Sequence, residues 1–314
     1  MLTHSPLQPF TLEPFQRAGL RVFIKRDDLL HPIISGNKWR KLKYNIEQAK
    51  QRDVSKVISF GGAYSNHIHA LAYACHLANL PSLGIIRGEQ AYRDNYTLRW
   101  ARHWQMQLQF VDRQTYRLRE DGQFLKRISD QHPHSVIIPE GGSNKLAVAG
   151  VAEVVDELEQ QCEFDYLLSP VGSGGTLAGL IEGAQNRYTL LGIAVLKQQD
   201  YLQQQVQSLL NDRASKWRNW HLLNQFHQGG YGKFGKQDAA RLGQIIKQTG
   251  IPFEPVYTGK MVLAAIELAK QGYFAKGSTV VLLHTGGTQG LGGLLERQRI
   301  TADDFIMPPP APRL

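Results

Sequence analysis

Cysteine is scarce in this chain, with only Cys75 and Cys162 among 314 residues. Neither stands in a CxxC or Cys/His spacing, which excludes a disulfide framework and a zinc finger, and both are expected to be reduced packing residues. Long apolar runs are missing too. No stretch of about 18 apolar residues is available to span a bilayer. The opening MLTHSPLQPF lacks the charged-then-apolar layout of a secretory leader, so a cytoplasmic protein without a membrane partner is expected. Helix-turn-helix, zinc-finger and aromatic RNA-binding signatures are also absent. That absence matters because the formal charge is +9, and such a surface attracts anions. The charge is dispersed, as in RQTYRLREDGQFLKR (113–127), which reads as a solvated helix face. Nucleic acid is not expected as a partner.

With 42% hydrophobic and 20% charged residues, the chain has the balance of a globular protein large enough for two domains. From residue 54 onward, short β-branched runs alternate with segments of helical period. Strands are expected at 54–60, 81–88, 108–112, 135–140, 165–171, 190–196 and 279–284. Helices are expected at 65–80, 94–104, 145–160, 176–185, 238–250 and 260–272, and the glutamine-rich piece 196–210 keeps a helical spacing of leucine and valine. Such alternation predicts an α/β fold with mainly parallel sheets flanked by helices, and two smaller sheets suit the length better than one.

Four expected strand ends collect glycine with small polar residues: SFGGAYSNH (59–67), PEGGSNK (139–145), SPVGSGGTLAG (169–179) and HTGGTQG (284–290). In parallel α/β sheets ligands bind at such ends, where helix N-termini offer free amides. VGSGGT can wrap a phosphate, although it is neither a Walker loop nor a dinucleotide fingerprint. SFGGAYSNH can hold a carboxylate on its amides. His67 and His69, at i and i+2, point to different helix faces, so no metal site is expected. SGNKWRKLK (35–43) packs four cations into six residues. If a helix starts near Asn37, Lys38 and Lys41 share one face, while Arg40 and Lys43 turn to the other as solvated surface. A special lysine, a phosphate loop and a carboxylate turn together are what pyridoxal 5'-phosphate chemistry requires.

These blocks, with IKRDDLL (24–30), IPEGGSNKLAVAG (138–150) and EPVYTGK (254–260), resemble the fold-type II pyridoxal-phosphate enzymes. Within them, the similarity is to the group of 1-aminocyclopropane-1-carboxylate deaminase and D-cysteine desulfhydrase. The resemblance implies a large cofactor-binding domain of residues 1–44 and 151–314, a small domain of residues 45–150, and an active site in the cleft between them. It implies Lys38 as the lysine joined to the cofactor, with Asn37 beside it and Lys41 supporting the phosphate. Asn66 matches the residue that bonds the ring hydroxyl, and Ser65 the serine near the substrate carbon. Ser173, Gly174, Gly175 and Thr176 match the phosphate loop. Tyr257 and Tyr231 match two tyrosines facing the substrate, whose carboxylate would rest on Ser65, Asn66 and His67.

Deaminases of the group read VYEGK and HLGG where this chain has VYTGK and HTGG. The resemblance therefore places Thr258 and Thr285 by the cofactor ring, one of them replacing an acidic residue. A hydroxyl there makes a weaker electron sink than a carboxylate, which suits β-elimination better than ring opening. The implied activity is that of a D-cysteine desulfhydrase, giving pyruvate, ammonia and sulfide, in a homodimer. The rivals are aminocyclopropane-carboxylate deamination, racemisation or lysis of another β-substituted D-amino acid, a non-catalytic carrier of the cofactor, and a basic nucleic-acid scaffold.

Overall fold

The computed structural model describes residues 4–313. Ten strands form two sheets: β1 Leu7–Pro9, β2 Arg21–Lys25, β3 Lys56–Gly62, β4 Ser82–Arg87, β5 Gln107–Val111, β6 Ser135–Ile138, β7 Tyr166–Val171, β8 Thr189–Ala194, β9 Trp220–Leu223 and β10 Thr279–Leu283. The larger sheet has the order β1-β2-β10-β7-β8-β9 and the smaller β5-β4-β3-β6. Every pairing is parallel except β1 with β2.

Sequence pattern explains this burial. In β10 every residue is buried. Val280 and Leu282 enter one apolar cluster and Val281 and Leu283 the other, because successive strand side chains point to opposite faces and both faces carry helices. The smaller sheet repeats the pattern, with Val57 and Ile86 on one face and Ile58, Phe60 and Ile85 on the other.

The seven expected strands and the expected helices form, with shifts of a few residues at their ends. Three strands escape the sequence pattern. β1 is a three-residue edge ending in Pro9, β9 is a four-residue edge, and β2 carries a charge at each end. The stretch 113–127 is not one solvated helix. It breaks into Arg113–Arg117 and Gly122–Gln131 because Asp121 caps a new start, and Tyr116 is buried.

All strands of the smaller sheet lie between residues 56 and 138, and those of the larger in 7–25 and 166–283. The expected junctions at 44/45 and 150/151 fall inside the helices Asn37–Gln51 and Lys145–Glu159, so neither junction is a linker. These two helices pack tightly at Gly150, where an added Cβ would lie 2.2 Å from the Arg40 carbonyl oxygen. No helix among the described residues is long and apolar enough to cross a membrane.

Candidate active site

Four loops at the carboxyl ends of β3, β6, β7 and β10 converge with the start of the helix Asn37–Gln51 on a cleft of about 1330 Å³. The helix begins at Gly36, whose φ of +67° suits glycine. A Cβ there would sit 1.9 Å from the Thr285 carbonyl oxygen, so the turn tucks beneath the loop after β10. That contact aims Asn37, Lys38 and Lys41 into the cleft.

Lys41 is 1% exposed and its ammonium has no carboxylate partner. Nζ donates to the Gly141 carbonyl at 3.2 Å, Ser143 Oγ at 3.0 Å and, weakly, Ser173 Oγ at 3.5 Å. Burial, reinforced by Lys38, pushes its pKa well below the ordinary lysine value. Burial brings Lys38 down to about 8. Buried cations want a counter-charge, and among the described residues Lys41 finds only neutral oxygens.

The loop after β7 supplies the rest of the cradle. Gly174 is left-handed, with φ +77°, and caps the helix Gly175–Ala184, whose first amides receive no side-chain cap among the described residues. The Ser173 and Ser143 hydroxyls lie 2.8 Å apart, and Asn37 Nδ2 donates to Thr176 Oγ1 at 2.8 Å. A Cβ on Gly175 would crowd Ser143 Oγ at 2.5 Å and Lys41 Nζ at 2.9 Å. The cradle thus combines small residues, hydroxyls, a helix start and an unneutralised lysine, and this donor set fits a phosphate.

In the turn after β3, Ser65 caps the helix Asn66–Leu77 by accepting the Ile68 amide, which leaves its own hydroxyl proton free. Asn66 lies against Gly287 and Gly290 of the loop after β10. His67 lines the cleft from behind, and its ring is committed inward: Nε2 meets Ser59 Oγ at 2.8 Å. Its Nδ1 is buried without a partner among the described residues. Burial and the two nearby lysines hold it neutral, well below the usual histidine pKa.

Tyr257 rests on the loop after β7, since a Cβ on Gly172 would touch its ring at 3.0 Å. Burial raises the pKa of its phenol well above 10.0, so Tyr257 stays protonated. Tyr231 faces it edge-on, with ring centroids 6.0 Å apart.

Thr285 lines the cleft and Thr258 does not. The Thr258 side chain is fully buried, bonded to the Glu254 amide at 3.1 Å and to Glu254 Oε1 at 3.1 Å, so its hydroxyl is turned away from the cleft. Glu254, absent from the sequence expectations, does line the cleft. Its carboxylate accepts the amides of Val256, Tyr257 and Thr258 and so orients the tyrosine. An acid shortly before a helix start is the signal that could have found it.

Arg40 is not solvated surface. It is 3% exposed and forks between two buried carboxylates, with Nε 2.7 Å from Asp27 Oδ2 and Nη1 2.7 Å from Glu157 Oε1. Lys25 Nζ joins Glu157 at 2.8 Å. Burial raises the Glu157 pKa, but Arg40 and Lys25 outweigh it and bring the group to about 2. Sequence spacing placed Arg40 correctly on the far helix face, but it could not show carboxylates arriving there from residues 27 and 157.

Comparison with known proteins agrees with the cradle. The sequence model of the family described as "Pyridoxal-phosphate dependent enzyme" matches residues 4–286. A D-cysteine desulfhydrase of Klebsiella pneumoniae subsp. pneumoniae is 30% identical over 87% of this chain and 88% of its own length. A Pyrococcus abyssi protein, provisionally named a 1-aminocyclopropane-1-carboxylate deaminase, is 29% identical over 87% of this chain and 86% of its own. A crystal structure described as an ACC deaminase homologue superposes with a TM-score of 0.81 at 25% identity, covering 94% of this chain and 93% of that one.

Proposed function

From the premise that this chain belongs to the pyridoxal-phosphate dependent enzymes, we propose that it is a desulfhydrase acting on D-cysteine. Overall, D-cysteine and water give pyruvate, ammonia and hydrogen sulfide. The observation that carries this reading is the pair of lysines one helical turn apart. Lys41 is buried against the glycine loop without an anion, and Lys38 is open to the cleft with its pKa brought to about 8. Lys41, Ser173, Gly174, Gly175 and Thr176 would hold the cofactor phosphate. Asn37 would brace the loop, and Lys38 would carry the covalent bond to the cofactor. Asn66 and Thr285 would meet the ring. When bound, the cofactor supplies the sink for the electron pair left at the substrate Cα.

The chain's own residues do the rest. Ser65 and the free amides after it orient the substrate carboxylate, and His67, held neutral, leaves that anion unneutralised by the wall behind it. Lys38 Nζ, released as a free amine when the substrate's amino group takes its place on the cofactor, would take the α-proton, its pKa lowered by burial. Tyr257, kept protonated by burial, donates from Oη to the departing sulfur, and Tyr231 and Glu254 hold its ring in place.

The relatives' names and Glu254 support a second reading. Thr258 is spent on Glu254, so the weak-sink argument rests on Thr285 alone. A buried carboxylate at the cleft wall also keeps opening of an aminocyclopropane ring in contention. Keto-acid and sulfide release from D-cysteine, L-cysteine and aminocyclopropane carboxylate separates the two. Purified protein should show a visible cofactor band, and Lys38→Ala should abolish it and lower turnover roughly a thousandfold or more. Protein that stays colourless with added cofactor would sink both readings. The same reading carries a cytoplasmic location and a homodimer, the latter to be checked by sedimentation.

A further inference from the structure

The cleft carries more positive charge than the cofactor uses. Eight cationic and four acidic side chains line it. Lys38 and Lys41 belong to the cofactor under the reading above. Three of the acids are already committed: Glu254 to its amides, Glu140 to Arg119 and the Tyr116 hydroxyl, and Asp112 to the amides of Gln114 and Thr115. Arg87 is left over. Among the described residues it forms no hydrogen bond or ion pair, not even with Glu89 two positions away, and its contact is the face of the Tyr116 ring, 5.4 Å to the centroid.

Tyr116 holds two guanidinium groups, Arg87 and Arg119, and only Arg119 is neutralised, by Glu140 Oε2 at 2.6 Å. The ring steadies Arg87 without cancelling its charge. The position is also specific. Arg87 ends β4 opposite Gly62 of β3, and a Cβ on Gly62 would lie 3.6 Å from Arg87 Nη2. Gly62 opens the turn that carries Ser65 and Asn66, so the guanidinium overhangs the substrate turn. Tyr231, half exposed, lines the same cleft.

We infer that the cleft takes, besides D-cysteine, an amino acid bearing a second anionic group, a carboxylate or sulfonate on its side chain, and that Arg87 selects it. This inference deepens the proposed function and rests on it. The α-carboxylate takes the amides at Ser65 and Asn66, and the planar fork of Arg87 matches a second oxyanion at the other end of a small substrate. Tyr64, with Arg297 4.0 Å over its ring, extends the same cationic wall.

Calorimetric titration of the holoenzyme with 3-sulfopropanoate, succinate and butanoate tests this without turnover, because none of the three carries an amino group. Wild-type protein should bind the two dianions at least about tenfold more tightly than butanoate. Arg87→Gln should abolish that preference and Arg87→Lys should keep part of it, with the visible cofactor band unchanged in both. In keto-acid assays Arg87→Gln should raise KM for acidic amino acids and leave KM for D-cysteine within about twofold. Wild-type protein without preference for the dianions overturns the inference whatever the variants do, and so does an equal loss for butanoate in Arg87→Gln. If the protein takes up no cofactor, the proposed function fails, and the same titration on the cofactor-free protein still decides the role of Arg87.

Discussion

The two faces of the helix Asn37–Gln51 differ in one respect that explains most of the site. On the outer face, Arg40 meets Asp27 and Glu157, carried in by the fold itself. On the inner face, Lys41 meets hydroxyls and a carbonyl, and Lys38 lines the cleft. A buried cation given protein carboxylates becomes part of the framework, and one given only neutral oxygens is set up for an anion from solution. The four cations of SGNKWRKLK thus have separate jobs, decided by residues of other segments such as Asp27, Ser143 and Glu157.

Breaking each face should give opposite results. Arg40→Met leaves the buried Asp27 without a cation and Glu157 with Lys25 alone, and should cost about 3–5 kcal/mol in urea unfolding of the cofactor-free protein. Lys41→Met removes a buried ammonium that lacks a counter-charge. It should leave the cofactor-free protein as stable or more so, while weakening cofactor binding roughly tenfold or more by titration of the visible band. If both variants unfolded the protein equally, the contrast would be gone.

Acid should sharpen the picture. Burial against Trp100 and Trp104 holds His69 at about 3, and Glu157 lies at about 2. Both values are below those of the unfolded chain, so unfolding takes up protons as pH falls. The stability linked to His69 drains from about pH 6.5 towards 3 and that of Glu157 from about 4.5 towards 2, each by up to about 1.4 kcal/mol per unit. Urea midpoints measured from pH 7 to 4.5 should decline less steeply in His69→Phe than in wild type. The smallest effect belongs to Lys43, which pairs with Glu153 at the surface. Lys43→Ala should change stability by less than about 1 kcal/mol, and a larger loss would mean that the outer face is more tightly coupled than it looks.

Much of this was legible in the sequence because buried parallel strands announce themselves: TVVLL and DYLLSPV are continuous apolar runs, and the glycine clusters mark their ends. Short edges such as LQP and WHLL carry too few residues for a period to show. The turn before Lys38 and the glycine loop after β7 were readable because backbone conformation dictates their residues locally. Arg40 and Arg87 were not, because the groups around them arrive from other segments, whereas Glu254 was missed although the amides it accepts follow it directly in the chain. A strand ending in arginine reads as a simple boundary until Gly62 and Tyr116 are seen beside it.

The contact at Gly150 has a consequence for how this protein can change. With 2.2 Å between an added methyl and the Arg40 carbonyl, the smallest alteration of the side chain would wedge apart the helices Asn37–Gln51 and Lys145–Glu159 and swing Lys38 away from its loop. The cleft walls offer many positions where a new substrate preference can be tried one residue at a time. Gly150, hidden behind them and touching no ligand, is where such exploration stops.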